Sequence, residues 1–209
     1  MPPTLTARLL EFAISDLVKP GQKESGDRAL VRESGAGVLV AVIDGLGYGP
    51  EAGRAAEMAI TVLRLSPSQD PHELIAGCHG ALRFSRGATM TVAFVDAATS
   101  VMSWAGVGGV TAVVRRAGAA AVRTVELVAR PGIVGQEIPL LRRREVRLGR
   151  GDLLVLATDG VRATFEEELT VMEPQEPPAG LAERIARGHA LGTDDALVLV
   201  GRWLGQPPA

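Results

Sequence analysis

The stretch Gly37-Val-Leu-Val-Ala-Val-Ile43 runs straight into Asp44-Gly-Leu-Gly-Tyr-Gly-Pro50. The first half is an apolar, β-branched run of the kind that forms a core strand. It stops at a carboxylate. Three glycines and a proline follow within six residues, which makes a tight turn with exposed backbone.

The same arrangement recurs twice. Leu153-Leu-Val-Leu-Ala-Thr158 leads into Asp159-Gly160, and Asp194 stands just ahead of Ala196-Leu-Val-Leu-Val200. A carboxylate at the end of a core strand sits near low dielectric, where an unpaired charge is costly. Each Asp alone reads better as a turn residue, since Asp-Gly is a common turn dipeptide, and only the three together favour a shared site. If the three strand ends converge, the gathered charge calls for compensation, and Mg²⁺ or Mn²⁺ with oxygen ligands supplies it. A zinc set is not on offer. There are three histidines (His72, His79, His189) and one cysteine, Cys78.

Outward from these points the chain reads as alternating strands with a helical pair between them. Strands are expected at Ala7–Ile14, Asp27–Arg32 and Gly37–Ile43. Helices follow over about Glu51–Leu65, with Ala55, Met58, Ala59, Val62 and Leu65 at helical spacing, and from Asp70-Pro71 to about Arg86-Gly87. Asp70 is placed to cap the second helix, with Pro71 at its first position and Glu73 three residues after the cap. Further strands are expected at Ala88–Val95, Val101–Gly106, Val110–Arg115, Val122–Val128, Glu145–Leu148, Leu153–Ala157 and Ala196–Val200. The acidic, Pro-containing segment Glu166–Gly180 reads as surface, and Leu181–Arg187 as a short helix. The pattern implies one α+β domain over residues 1–204, with stacked sheets and helices outside, and a frayed tail at 205–209.

Composition narrows the function. The 209 residues carry a formal net charge of −2, which gives no reason to expect nucleic acid or an anionic membrane as partner. A single cysteine allows no internal disulfide and suits a reducing cytoplasm. The apolar stretch Gly87–Val114 is broken by Asp96-Ala-Ala-Thr-Ser100, so it reads as strands and a turn, not a membrane span. Gly45-Leu-Gly-Tyr-Gly49 has neither the spacing of a dinucleotide loop nor that of a P-loop. Cys78 reads as a small buried hydrophobe in a helix. His189, near Asp194, is the histidine best placed to donate a proton.

Asp44-Gly-Leu-Gly-Tyr-Gly49, Arg86-Gly-Ala-Thr89, Ala157-Thr-Asp-Gly160 and Thr193-Asp-Asp195, preceded by Ser25-Gly-Asp27, resemble in order and spacing the motifs of the metal-dependent PPM protein serine/threonine phosphatases. The branch most similar is the bacterial stress-response and sporulation one, and within it the compact RsbX-like group. The resemblance spans about residues 25 to 200. It implies a central β-sandwich of two antiparallel sheets flanked by α-helices, and two Mn²⁺ or Mg²⁺ ions that activate a water with no protein nucleophile. Asp44 would bridge both ions, Gly45 would lend its carbonyl, and Asp159 and Asp194 would complete the set. Asp27 would stand behind them or act through water, and Asp195 would orient the site. Tyr48 departs from the family's usual residue in its loop. The phosphate-holding arginine has no clear counterpart, with Arg28 and Lys23 merely near in sequence. The implied partners are Ser/Thr-phosphorylated proteins, the stressosome scaffold among them. A phosphatase fold that had lost activity and only binds phosphoproteins would be expected to lack one of Asp44, Asp159 and Asp194, and all three are present.

Overall fold

The computed structural model describes residues 5–6, 9–118, 123–141, 143–172 and 176–205. Among them the strands are β1 (Leu5–Thr6), β2 (Leu10–Leu17), β3 (Asp27–Ser34), β4 (Gly37–Gly45), β5 (Ala88–Asp96), β6 (Val101–Val107), β7 (Thr111–Arg115), β8 (Thr124–Glu126), β9 (Arg144–Arg147), β10 (Leu153–Ala157) and β11 (Ala196–Trp203). The helices are α1 (Pro50–Leu65), α2 (Pro71–Leu82), α3 (Glu168–Val171) and α4 (Pro178–His189), with a 3₁₀ turn at Ala163–Glu167.

Two antiparallel sheets form, in the orders β1-β2-β11-β10-β7-β8 and β3-β4-β5-β6-β9. They stack face to face. Val38, Val40 and Val42 of β4 and Ala93 and Val95 of β5 meet Leu154, Leu156, Leu197, Leu199 and Trp203 of the other sheet in one core. The opposite face of β4 (Leu39, Ala41, Ile43) packs on α1 and α2, and the opposite face of β10 and β11 (Leu153, Val155, Val198, Val200) packs on α4. The result is four layers, helix, sheet, sheet and helix. Runs such as Val38–Ile43 are apolar throughout because both faces of the strand are covered. This is the α+β sandwich anticipated from the sequence. No helix among the described residues is long and apolar enough to cross a membrane.

Local signals set the element ends. Asp70 Oδ1 accepts from His72 N at 2.9 Å, capping α2. The Asp96–Ser100 turn is held by Thr99 N and Thr99 Oγ1 donating to Asp96 Oδ1, both at 2.8 Å.

Four expectations need correction. The stripe that α1 buries is Ala52, Ala55, Ala56, Ala59, Ile60 and Leu63, while Met58 and Leu65 point outward. Small alanines let the helix lie close on the sheet, while the large apolar Met58 and Leu65 stand among the charged residues of the outer face. Helix α2 ends at Leu82, not near Gly87, because Ser85 donates to Leu82 O from both N and Oγ and breaks the helical ladder. Glu166–Gly180 is not simple surface, since Leu169, Met172, Pro178 and Ala179 within it are buried. The short helix at 181–187 is longer, Pro178–His189. Ala7, Val122, Arg142 and the end of the tail lie outside the described residues. Arg143 and Arg144 beside them are exposed, with Arg144 stacked over the Trp104 ring at 5.7 Å.

Candidate metal centre

Side chains alternate between the two faces of a strand. Since Val38, Val40 and Val42 point between the sheets, Asp44 occupies the next inward register, at the end of β4. Its partners across the ladder are Asp27 of β3 on one side and Thr89 of β5 on the other. Directly opposed residues bring their Cβ atoms to about 5 Å. Thr89 Oγ1 donates to Asp44 Oδ2 at 3.4 Å.

The facing sheet supplies the rest by the same rule. Leu154 and Leu156 point inward, and so does Thr158, immediately after β10. Its Oγ1 donates to Asp27 Oδ2 at 2.8 Å and accepts from Leu197 N at 2.9 Å. Asp195, 4% exposed, accepts from Lys19 N (2.7 Å) and Gly26 N (2.8 Å) and so ties the 19–26 loop to the start of β11. Asp159 and Asp194 sit in the turns that continue these strands. Gly109 lies against Asp159, with space for a Cβ only at 3.1 Å from its Oδ2.

Two glycines are required by close approach. A Cβ on Gly45 would stand 2.1 Å from Ala52 O, and one on Gly160 would stand 1.7 Å from Asp195 O. The turns after Asp44 and Asp159 can only fold this tightly without side chains there.

The carboxylates feel one another. Asp44 is pushed up to about 7, first by burial, then by the charges of Asp159 and Asp194, against the lowering hydrogen bond from Thr89. Asp27 is pushed up to about 8, again by burial first and then by Asp44, while the Thr158 bond opposes the rise. Asp159 is raised by burial and by Asp194. Asp44 feels the charges of Asp159, Asp194 and Asp195, Asp159 feels that of Asp194, and Asp27 stands opposite Asp44 in the ladder. The donors there are oxygens, with no thiolate or imidazole among the interacting groups, and like charges dominate. That chemistry fits hard divalent cations. Among the described residues no three His, Cys, Asp or Glu side chains close into a ready-made cage for one ion. Mg²⁺ commonly keeps several waters in its shell, so a sparse protein ligand set suits it.

The other candidates have different surroundings. Arg28 spends NH1 on Ser25 O (2.6 Å) and Asp27 O (2.8 Å), and its Nε pairs with Glu57 at 3.4 Å. It braces the Ser25–Asp27 loop. His189 has Nδ1 at 3.1 Å from Thr164 Oγ1 and Nε2 at 3.2 Å from Glu168 Oε1, so both ring nitrogens are engaged. Cys78 is buried, its thiol pushed up to about 12 by desolvation. Tyr48 is half exposed under the Lys19 ammonium, 3.9 Å from the ring centroid. Thr158 was missed as a site residue, although it stands inside the Ala157–Gly160 motif. Its inward register after Leu154 and Leu156 is the signal that finds it.

The family model described as Stage II sporulation protein E (SpoIIE) matches residues 34–204. No curated protein sequence gives a match. A solved chain from work on the bacterial stressosome, a modular system adapted to control secondary messenger signalling, superposes with a TM-score of 0.82. It is 28% identical and covers 92% of this chain and 99% of its own. RsbX, solved in complex with magnesium, has a TM-score of 0.83 at 17% identity, covering 97% and 100%. The PP2C phosphatase domain of SpoIIE from Bacillus subtilis, with a fragment of its regulatory domain, gives 0.71 at 19% identity, covering 93% and 64%.

Proposed function

The chain belongs to the SpoIIE family of PPM-type phosphatase domains, and from that premise we propose that it hydrolyses phosphoserine and phosphothreonine on partner proteins, with Asp44, Gly45, Asp159 and Asp194 holding two Mn²⁺ or Mg²⁺ ions. When bound, such ions supply a water acidic enough to attack at neutral pH and positive charge against the phosphoryl oxygens. Asp44, whose ionisation the charges of Asp159 and Asp194 oppose, would be the ligand common to both ions. Thr89 steadies its carboxylate. Asp27 is held by Thr158 behind Asp44, and Asp195 fixes the loop that leads into it. No side chain is needed as a nucleophile.

The observation that carries this reading is the convergence of aspartates from three chain segments on one end of the sandwich, with their ionisation resisted by burial and by one another. The magnesium in RsbX is in keeping with it. The stressosome setting of a 28% identical chain supports stressosome scaffold phosphoproteins as substrates. The cytoplasm is the compartment this reading implies.

The test is release of phosphate from phosphoserine and phosphothreonine proteins in Mn²⁺, with EDTA as control. Turnover should need the metal, and Asp44→Asn should lower it by about three orders of magnitude. Near-normal turnover in that variant would refute the assignment. Phosphoprotein binding without turnover in the wild type would mark an inactive binding module instead.

A further inference from the structure

The ladders of β5, β6 and β9 set Phe94, Ser103 and Glu145 side by side in one row across the sheet. Directly opposed residues share a face, and Phe94 faces the helical layer. Helix α2 starts at Pro71 and leaves part of that row uncovered. An open cleft of about 460 Å³ results, bounded by Gln69 and Asp70 at the entry to α2, by the Asp96–Thr99 turn and by β9. That volume lies in the range that holds small ligands. The cleft is far from the aspartates of the metal centre. Asp96 ends the strand on which Thr89 stands near the start, about 23 Å away at about 3.3 Å per residue.

The floor of the cleft carries an unmet hydrogen-bonding group. Ser103 is 5% exposed, and among the described residues its hydroxyl has no hydrogen-bond partner. The hydroxyl is not sealed in, because Ser103 lines the cleft. A buried polar group without a partner is costly, so this one calls for a hydrogen-bonding group that enters from the cleft. Phe94 and Val101 beside it make the rest of the floor apolar.

The walls are acidic in balance. Asp70, Asp96 and Glu145 stand against the single guanidinium of Arg143 among the described lining residues, an excess of two negative charges. Glu145 is spent on Arg143 at 2.9 Å. Asp70 gives Oδ1 to His72, and Asp96 gives Oδ1 to Thr99, so each carboxylate keeps acceptor capacity for another donor. The Thr99 bonds hold Asp96 below the usual carboxylate range, so it is ionised at neutral pH. Among the described residues no three acidic side chains come close enough to hold one metal ion. Two negative charges set apart over an apolar floor fit an extended organic cation.

We propose that this cleft binds a small aliphatic dication, a diamine, with its ammonium groups at Asp70 and Asp96, its stem on Phe94 and Val101, and Ser103 Oγ accepting from one ammonium. The site is separate from the metal centre and does not depend on the phosphatase reading.

Calorimetric titration of the full chain with putrescine, in excess Mn²⁺, tests this. One molecule should bind per chain with a Kd of about 1 mM or below. The monoamine n-butylamine has the same stem and one charge, and should bind about tenfold more weakly. Asp70→Asn and Asp96→Asn keep the cap and the turn, because asparagine accepts the same bonds. Each should weaken putrescine about threefold, and the double variant about tenfold. Ser103→Ala should weaken it about fivefold. No binding by the wild type, equal binding of n-butylamine, or wild-type affinity in the double variant would each overturn the proposal.

Discussion

The hydroxyl of Thr158 donates to Asp27 Oδ2 at 2.8 Å, joining the two sheets at the end where the aspartates meet. The same oxygen accepts from Leu197 N, so one threonine satisfies a buried carboxylate and a buried amide. Replacement by the isosteric Thr158→Val leaves both without that partner. The expected cost is about 2 kcal/mol of unfolding free energy, within the range for orphaned buried polar groups. Thr158→Ser should recover most of it. Urea denaturation in EDTA reads both variants, and a Thr158→Val protein as stable as wild type would show that the bond does not hold the sheets.

Charge repulsion predicts an unusual sign for Asp44→Asn. Loss of a carboxylate from a buried site usually costs stability. Here the carboxylate is resisted by burial and by Asp159 and Asp194, so the metal-free variant at pH 8 should be more stable than metal-free wild type, by about 1–3 kcal/mol. In saturating Mn²⁺ the order should reverse, because only the wild type gains from the ions. Thermal melts with and without EDTA check both halves.

The pH dependence follows from the same groups. Asp27 and Asp44 have folded values near 8 and 7, above their ordinary 3.8, and Asp159 is raised as well. An acid raised in the folded state contributes stability below pH about 4, and that contribution is lost as pH climbs through the folded value. Metal-free protein should therefore lose stability between about pH 4 and pH 8 and level off above that. Denaturant titrations in EDTA at pH 5.5, 7 and 8.5 measure it. Stability that rises over this interval would contradict the electrostatic account.

Much of this was legible because it is written in period-two alternation and turn chemistry. Val38, Val40, Val42 and Asp44 share one parity, so an inward carboxylate at a strand end can be read from the letters alone. The Asp70 cap and the Asp96–Ser100 turn are local and were equally readable. What stayed hidden depends on partners far apart in the chain. Thr158 meets Asp27 across 131 residues, and Arg86 meets Glu51 and Gly47 only because β5 and β4 pair in the observed register. The buried stripe of α1 was misread for another reason. Alanines at a close helix–sheet contact carry little hydrophobic signal, and Met58 and Leu65 on the outer face carry more.

Close packing makes Gly160 a sharp probe. A methyl at this position would stand 1.7 Å from Asp195 O, so Gly160→Ala must push the turn after Asp159 away from β11. The expected result is a fall in Mn²⁺-induced thermal stabilisation larger than that for Gly80→Ala in α2, where no neighbouring atom lies within 4 Å of the added methyl. Equal stabilisation in the two variants would mean that the Gly160 turn does not position Asp159.

Whether acidic side chains from distant segments hold two hard ions is decided most directly by equilibrium binding of Mn²⁺, counted per chain. Wild type should bind two ions, and Asp44→Asn, which removes the shared ligand, should lose both at the same concentration. Wild-type protein that binds none, or a variant that binds as many as wild type, would contradict the account.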